Sequence, residues 1–575
     1  MNDRQMKIFT YAFDHPQETL AVTDEGDQIL YGELKDLSER IGGVVGHRLA
    51  FVLCRNTPGS LLGYLGLLSS GGVPLLLDAG LAPQLLQELM AAYHPAFCLA
   101  PEDLPPQTMD VITKSGASSV EEVFDPDEVN MHAAEKAAGG SRSAGGESAG
   151  APQREPVMKI RDYVLYRTAA EGKDPAVAPE LRLLLTTSGS TGSSKLVRIS
   201  GDNLDANAES IIEYLQITKT ERPITVLPMQ YSYGMSIIHT HVMAGAPIIL
   251  TGYTLMEKGF WDRVRQEKVT SLCGVPYTFE MYRRLGLMQM DLPALRYITQ
   301  AGGRLSEKRH MEYARWCAEQ GIRFYVMYGQ TEASPRMGWL PPRMAIEKCG
   351  SMGIAIPGGR IDLIDENGMV IPEAGSCEET GRAPAPAANP AGENAENILS
   401  PVGELVYTGP NVAMGYALCA ADLAKGDEFH GVLHTGDMAR RDQDGYFYIV
   451  GRRSRFIKMA GKRIGLDQVE RILRGAFPDL DLACAGEDDD LHVYIVLPGQ
   501  PSGDAGAAAV ESGRESKAAA GIVKSEESEE AAEWTDRIRD RIQEMTGIPG
   551  RRVNVFPVQE IPRSSSGKIR YAALT

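Results

Sequence analysis

Short apolar runs alternate with helical repeats along most of this chain. The run from Leu181 to Leu185 is typical of a buried strand, and Ile322 to Val326 indicates a second one. Between them, apolar residues recur at helical spacing from Leu204 to Leu215, and a helix over Lys308 to Gln320 is predicted to end at Gly321. Repeats of strand, helix and strand predict an α/β fold with mostly parallel sheets and covering helices.

The last part of the chain follows a different pattern. Val469 to Ala476 predicts a helix and Leu491 to Leu497 a strand, followed by a helix near Trp534 to Met545 and a short strand near Val553 to Phe556. A chain of 575 residues is too long for one compact core. The sequence therefore predicts a large N-terminal domain over residues 1–451 and a small α+β C-terminal domain over residues 452–575.

Three segments of biased composition interrupt these patterns. Residues 137–156, 380–397 and 499–533, with approximate bounds, are rich in Ala, Gly, Pro, Ser and Glu. Such compositions bury too little apolar area to offset the entropy lost on ordering. We interpret them as surface insertions in the two domains.

The bulk composition excludes several classes of protein. The net charge of -18 argues against nucleic-acid binding, and an anionic nucleotide would need local donors and Mg²⁺. The eight cysteines are scattered without a C-x-x-C pair, which argues against a disulfide framework and a zinc site. The first residues lack a secretory apolar region, and polar residues interrupt the most apolar stretch, Leu61 to Leu81. We expect a cytoplasmic protein without a membrane span.

A loop of small residues follows the strand that ends at Leu185. Its residues before the lysine at position 195 include Thr187, Ser188, Gly189, Ser190, Thr191 and Gly192. Backbone N–H groups and hydroxyls can donate to phosphate oxygens, and Lys195 supplies a positive charge. Two residues separate Gly192 from Lys195, so the loop is not a Walker A motif. Taken alone, the loop fits a phosphate cradle and a flexible turn equally well.

Five motifs in a fixed order resolve this ambiguity. They are TSGSTGxxK at 187–195, YGQTE at 328–332, HTGD at 434–437, Gly-Arg at 451–452 and SGK at 566–568. The combination resembles the adenylate-forming superfamily over nearly the whole chain; its members include acyl- and aryl-CoA ligases, peptide-synthetase adenylation domains and luciferases. The resemblance implies that ATP activates a carboxylic acid as an acyl-adenylate and that the acyl group then passes to a thiol. It also implies that the small domain is mobile.

The resemblance also assigns roles around the nucleotide. Thr187 to Gly192, with Lys195, would hold the β- and γ-phosphates. In the second motif, Tyr328 would stack on adenine, Gln330 would contact the nucleotide, Thr331 would donate to the α-phosphate and Glu332 would ligate Mg²⁺.

Later motifs complete the expected active site. Asp437 would accept hydrogen bonds from the ribose hydroxyls, and Arg452 would lie at the ribose and the hinge between domains. Lys568 would bridge the substrate carboxylate and the α-phosphate. For the second half-reaction, Gly461 would line the pantetheine tunnel.

The segment from Pro228 to Ser236 resembles the family's acid pocket, where Tyr231, Tyr233 and Gly234 would contact the substrate. Gly234 stands where amino-acid-activating domains carry an aspartate for the substrate ammonium, so α-amino acids are disfavoured. Gly302 and Gly303 would form another wall with room for a flat ring or an acyl chain. Ordinary core packing is the alternative interpretation of these residues, and we interpret the pair His239 and His241 as core or surface histidines rather than metal ligands.

The expected substrate is therefore a non-amino small-molecule carboxylic acid, fatty or aryl and of any chain length, with coenzyme A as the first candidate for the acceptor. No carrier domain precedes the last residue, so the acceptor is expected to come in trans. One alternative is a stand-alone adenylating enzyme that loads the phosphopantetheine of a separate acyl or peptidyl carrier protein. Another is a catalytically inactive homologue that binds a nucleotide or an acyl ligand.

Overall fold

A computed structural model describes residues 5–114, 156–168, 174–186, 195–372, 399–459, 462–487, 490–497, 529–546, 548–563 and 569–574. The strands are β1 Thr19–Val22, β2 Gln28–Leu30, β3 Leu49–Cys54, β4 Val73–Asp78, β5 Phe97–Pro101, β6 Pro156–Ile160, β7 Tyr163–Arg167, β8 Leu181–Thr186, β9 Leu196–Ser200, β10 Ile248–Ile249, β11 Ser271–Gly274, β12 Tyr297–Gln300, β13 Arg323–Gly329, β14 Arg336–Leu340, β15 Ile354–Ala355, β16 Arg360–Ile364, β17 Gly403–Thr408, β18 Gly415–Ala417, β19 Val432–Arg441, β20 Phe447–Arg452, β21 Phe456–Met459, β22 Lys462–Gly465, β23 Asp481–Glu487, β24 Asp490–Val496 and β25 Val553–Pro557. The helices are α1 Thr10–Asp14, α2 Tyr31–Val45, α3 Pro58–Ser69, α4 Pro83–Tyr93, α5 Pro106–Lys114, α6 Gly201–Leu215, α7 Ser232–Ala244, α8 Lys258–Gln266, α9 Pro276–Arg284, α10 Glu307–Gln320, α11 Leu466–Ala476 and α12 Glu529–Thr546.

The largest sheet has the strand order β18-β9-β8-β4-β3-β5-β7-β6. Parallel pairs lie at its centre, where β4 pairs with β3 and β8 and β3 pairs with β5, while antiparallel strands extend both edges. All six residues of β3 are buried, as expected for a central strand covered on both faces. The strand β8, which leads to the predicted phosphate loop, is therefore an interior strand of this sheet, between β9 and β4.

Two further sheets carry the other motifs. In the sheet β11-β12-β13-β14-β15, the first three strands are parallel and the last two are antiparallel. The sheet β16-β17-β19-β20 is antiparallel throughout. The motif at residues 328–332 begins in β13 and continues beyond it, whereas residues 434–437 lie within β19.

The predicted α/β fold class is confirmed, and its individual elements have clear local causes. Helix α6 begins after Ser200, whose Oγ accepts a hydrogen bond from the Asn203 backbone N–H at 3.1 Å, while Asn203 Oδ1 accepts from the Ser200 N–H at 3.0 Å. Helix α10 ends at Gly321, whose φ of 69° is left-handed, as the sequence predicts. No helix in the described ranges is long and apolar enough to cross a membrane.

The C-terminal elements pack around their own apolar clusters. Two clusters contain only residues from Ile457 onward, and the other four contain only residues up to Ile449. This grouping supports the predicted division at residues 451 and 452, which stays a prediction.

The predicted insertions lie mostly outside the described residues, and the structure corrects two of their bounds. Pro156 begins β6, and residues 529–533 form the start of α12. The glutamates and alanines there are strong helix formers, and Ala531 is buried.

Candidate active site

Three residues from the second and fourth motifs converge on the carboxylate of Asp437, which belongs to the third. Tyr328 Oη donates to Asp437 Oδ2, and Gln330 Nε2 donates to the same oxygen at 3.0 Å. Arg452 stands opposite Asp437 in the β19–β20 pair, and its Nε lies 3.1 Å from Oδ1. Burial and the neighbouring Asp437 carboxylate raise the pKa of Tyr328 well above its ordinary value, so its hydroxyl stays a donor. The fold thus brings together residues that lie far apart in the sequence.

A second group joins the phosphate-loop lysine to Glu332. Lys195 Nζ lies 3.4 Å from the ring centroid of Tyr416, a short cation–π contact. The hydroxyl of the same tyrosine donates to Glu332 Oε1 at 2.9 Å. Burial raises the pKa of Tyr416, and the adjacent Glu332 carboxylate adds to the shift, so the phenol stays protonated. Tyr416 therefore connects the predicted phosphate ligand with the predicted magnesium ligand.

Sequence reasoning missed Tyr416, which lies 84 residues beyond Glu332 in the chain. The short strand β18 places it, because Tyr416 pairs with Val197 in β9, two residues after Lys195. The surrounding Gly-Tyr-Ala sequence was the only available signal, and it does not identify a partner.

A fully buried arginine holds the two strands together. Arg198 in β9 donates through Nε to the Tyr416 carbonyl at 3.0 Å and through Nη1 to the Gly426 carbonyl at 3.0 Å. It also donates to the Lys425 carbonyl and forms an ion pair with Glu428. A guanidinium offers five donors in a rigid fork, so one side chain satisfies several carbonyls here.

Helix α7 begins beside Thr331. Tyr231 is its N-cap residue, and Ser232 Oγ in its first turn lies 3.4 Å from Thr331 Oγ1. The amino end of a helix carries a partial positive charge, which favours anionic groups nearby. Thr331 therefore lies beside a helix end that favours anions, and its contact with the α-phosphate stays a prediction.

Tyr233, one of the predicted acid-pocket residues, lines a narrow cavity that is bounded by α6, α7 and residues of β11, β12, β13 and β14. The cavity has a volume of about 20 Å³, which holds roughly one water molecule. A larger group would enter only if the surrounding side chains moved. Arg336, which the sequence analysis did not single out, also lines it.

The predicted pocket glycines have packing roles in this structure. A Cβ atom on Gly234 would lie 2.3 Å from the Pro228 carbonyl oxygen, so the backbone leaves no space for a side chain there. Gly302 has a φ of 78°, and a Cβ would lie 3.0 Å from Val275 Cγ1; one on Gly303 would lie 3.0 Å from Pro276 Cγ. Tyr231, Gly234, Gly302 and Gly303 are not among the described residues that line the cavity. Their predicted contact with substrate stays a prediction.

The two histidines of α7 are buried, in agreement with the interpretation as core residues. His239 Nε2 lies 2.6 Å from Tyr64 Oη, and His241 Nδ1 lies 2.7 Å from the Ile237 carbonyl oxygen. Burial lowers the pKa of His239 to about 3 and that of His241 to about 4. Both rings are therefore neutral near pH 7. Within the described ranges, no group of three or more His, Cys, Asp or Glu side chains could hold a metal ion.

Several predicted site residues lie outside the described residues. They are Thr187, Ser188, Gly189, Ser190, Thr191 and Gly192 of the phosphate loop, Gly461 and Lys568. The segments that flank Lys568 are described: Arg563 and Ile569 form an antiparallel bridge, and Arg563 Nη2 lies 2.6 Å from Asp481 Oδ1.

Comparison with known proteins identifies the class to which this fold and site belong. Residues 9–417 match the family described as AMP-binding enzyme, and the chain belongs to that family. One curated relative is the indoleacetate–CoA ligase of Aromatoleum aromaticum, 29% identical over 336 residues that cover 57% of this chain and 59% of the relative. Another is the medium-chain fatty-acid–CoA ligase of Escherichia coli, 26% identical over 330 residues, or 55% of this chain and 52% of the relative. The chain thus spans less than two thirds of the length of these relatives.

Solved structures match over the full chain. The O-succinylbenzoate coenzyme A synthetase of Bacillus subtilis, in complex with AMP, aligns with a TM-score of 0.66 at 20% identity and covers 100% of this chain and 98% of that one. The same enzyme in complex with ATP and a magnesium ion aligns with a TM-score of 0.65 at 19% identity, covering 99% and 98%. At such identities the likeness shows the fold.

Proposed function

We propose that this protein is an acid–thiol ligase that uses ATP to activate a non-amino carboxylic acid and then transfers the acyl group to coenzyme A. One observation carries the proposal: Tyr416 joins Lys195 and Glu332 into a single cluster, next to the network that Tyr328, Gln330 and Arg452 make with Asp437. The names of the relatives, which are CoA ligases for indoleacetate and medium-chain fatty acids, support it.

In the first half-reaction, an oxygen of the substrate carboxylate attacks the α-phosphorus of ATP. The bond from the α-phosphorus to the bridging oxygen breaks, and pyrophosphate leaves. Both reactants are anionic, so positive charge and alignment matter more than a general base. Lys195 and Lys568 would supply positive charge, and Thr331 would donate a hydrogen bond to the α-phosphate. Residues 187–192 would hold the β- and γ-phosphates through N–H and hydroxyl donors.

The nucleoside would occupy the network around Asp437. Its carboxylate is nearly buried and already accepts bonds from Tyr328 and Gln330, so it is oriented before ribose hydroxyls approach. Tyr328 would also stack on adenine, and Arg452 would contact the ribose from the exposed side.

The donor set fits a magnesium ion at one position. Glu332 offers a carboxylate that the Tyr416 hydroxyl orients at 2.9 Å, and Mg²⁺ prefers one or two such carboxylates together with phosphate oxygens. When bound, the ion would neutralise the charge that develops on the phosphates.

The second half-reaction belongs to the C-terminal domain, residues 452–575. The thiol sulfur attacks the acyl carbon, the bond to the adenylate oxygen breaks and AMP leaves. Gly461 would line the pantetheine path, and the separate apolar clusters on either side of residues 451 and 452 support a domain that reorients as a unit. Coenzyme A is the proposed acceptor, and a carrier protein is the alternative that the experiment must exclude.

The backbone around Gly234 supports a substrate without an α-amino group. An aspartate at this position would collide with the Pro228 carbonyl oxygen, so the counter-charge that an ammonium group requires is not available there. Fatty and aryl acids meet no such barrier.

ATP–pyrophosphate exchange with fatty, aryl and amino acids tests the first step, and thioester formation tests the second. We expect exchange with non-amino acids and thioester formation with free coenzyme A. Asp437→Asn should raise the KM for ATP, whereas Asp365→Asn, in an exposed turn, serves as the control. ATP binding without exchange for any acid would contradict the proposal, and thioester formation with a carrier protein alone would change the acceptor.

A further inference from the structure

Arg336 is a buried, charged residue that lines the narrow cavity beside α7. It is the first residue of β14, pairs with Gly329 across β13 and is only 3% exposed. Its Nη2 reaches Ser236 Oγ at 3.5 Å, and its Cζ lies 4.2 Å from the ring centroid of Tyr233. Its Nε has no hydrogen-bond partner among the described residues.

No anion accompanies this guanidinium in the described lining of the cavity. The described residues that line the cavity include no aspartate or glutamate. Burial raises the pKa of Cys273 to about 12 and raises that of Tyr233, so both stay protonated. Burial lowers the pKa of His241, on the same lining, to about 4, so this ring adds no charge near pH 7.

The contacts of Arg336 compensate only part of the cost of burying it. Removing a cation from water costs several kcal/mol even after relaxation. The ring of Tyr233, the Ser236 hydroxyl at the 3.5 Å limit and the neighbouring Tyr214 hydroxyl are all neutral partners, so none of them supplies a counter-charge. A carboxylate against the guanidinium would satisfy the remaining donors by a bidentate pair, which is the geometry that arginine favours.

We propose that the substrate acid carries a second anionic group, a carboxylate, which pairs with Arg336 while the reacting carboxylate lies at Thr331, after the side chains that line the cavity of about 20 Å³ have moved to admit it. The inference rests on the proposed function, because it assigns the distal end of the acid in that same site. Helix α7 connects the two positions: Ser232 in its first turn contacts Thr331, and Ser236, one turn later on the same face, contacts Arg336. The same cation repels an ammonium group, which strengthens the discrimination against amino acids.

The test compares acids that differ only in distal charge. Linear and aromatic dicarboxylic acids, their monomethyl esters and the corresponding monocarboxylic acids are measured by ATP–pyrophosphate exchange. A desolvated charge pair is worth about 2–5 kcal/mol, so we expect kcat/KM for the best diacid to exceed that of its half-ester by about 30-fold or more. Arg336→Met should bring the ratio of kcat/KM for the diacid to kcat/KM for its half-ester close to one.

Two other outcomes would contradict the inference, and they differ in whether the proposed function also fails. Exchange with monoacids at least as fast as with diacids, and unchanged in Arg336→Met, would keep the proposed function and refute the second anionic group. Absence of exchange with every acid would refute both.

Two further variants separate binding from folding. Arg336→Lys keeps the charge but not the fork, and should retain about a tenth of the diacid preference even if the methionine variant does not fold. Arg284→Met removes a surface arginine of α9 that is 67% exposed, and should change no ratio. If the diacid preference were unaltered in both Arg336→Lys and Arg336→Met, the guanidinium would not bind substrate.

Discussion

The substitution Tyr416→Phe removes one hydroxyl from the centre of the proposed active site. It deletes the 2.9 Å hydrogen bond to Glu332 but keeps the ring that lies under Lys195. A hydrogen bond to a charged group contributes about 1.5–3 kcal/mol. At about 1.4 kcal/mol for each factor of ten, the expected loss of kcat/KM for adenylation is about 10- to 150-fold.

The assay is ATP–pyrophosphate exchange as a function of Mg²⁺ concentration, with ATP and acid at saturation. If Tyr416 positions the Glu332 carboxylate for the ion, the half-saturating Mg²⁺ concentration should rise while the KM for the acid stays the same. A purely structural role would lower the amount of folded enzyme and leave the Mg²⁺ dependence unchanged. Tyr416→Leu, which also removes the cation–π contact, should lose a further 2- to 30-fold, from about 0.5–2 kcal/mol.

A matched control is available on the same strand. Tyr93 Oη donates to the carbonyl of Ala417, the residue after Tyr416, at 2.8 Å. Tyr93→Phe therefore removes a buried hydroxyl that supports β18 without contacting Glu332. A Mg²⁺ dependence that is identical in Tyr416→Phe and wild type, or one that shifts equally in Tyr93→Phe, would refute the reasoning.

Three further predictions concern catalysis, packing and pH. Lys568→Ala should reduce pyrophosphate exchange by about 10²- to 10³-fold but leave transfer from a supplied acyl-adenylate to coenzyme A; undiminished exchange would contradict the assignment. Gly234→Ala places a Cβ 2.3 Å from the Pro228 carbonyl oxygen and should destabilise the fold by about 1–3 kcal/mol, seen as a lower urea midpoint, without any gain of amino-acid exchange. Because the pKa values of His239 and His241 are lowered to about 3 and 4, the unfolded chain binds protons that the folded chain does not. The free energy of unfolding should therefore fall as the pH drops from about 6.5 to about 4, by up to about 1.4 kcal/mol per pH unit for each histidine. Urea unfolding at several pH values measures this slope, and His239→Gln should reduce it. An unchanged slope in His239→Gln would contradict the prediction.

Local patterns were sufficient to predict the elements that carry the motifs. The apolar run before the small-residue loop became β8, and helix α10 ends at the glycine that a left-handed C-cap requires. These features depend on residues within a few positions of one another, so the sequence contains the whole cause. The resemblance then placed Tyr328, Gln330 and Asp437 in one site, and the structure brings them together.

Tertiary pairing determined what the sequence could not show. Tyr416 belongs to the site only because β18 pairs with β9, and nothing near position 416 specifies that pairing. Arginine side chains are usually exposed, and nothing near position 336 predicts a buried one. Arg336 is buried because β14 folds back onto β13. The glycines at 302 and 303 suggested open space, whereas Val275 and Pro276, at the start of α9, occupy the adjacent volume.

The pairing of β18 with β9 makes catalysis depend on strand register. A strand of three residues has few backbone bonds to hold its alignment, and a slip by one residue would turn the Tyr416 ring to the opposite face, away from Lys195 and Glu332. The guanidinium of Arg198 opposes such a slip, because it donates to the backbone carbonyls of Tyr416 and Gly426, which lie at fixed positions in and after β18. Arg198, to which no contact with ATP or acid is assigned, thus sets the strand register that places Tyr416 in the proposed site.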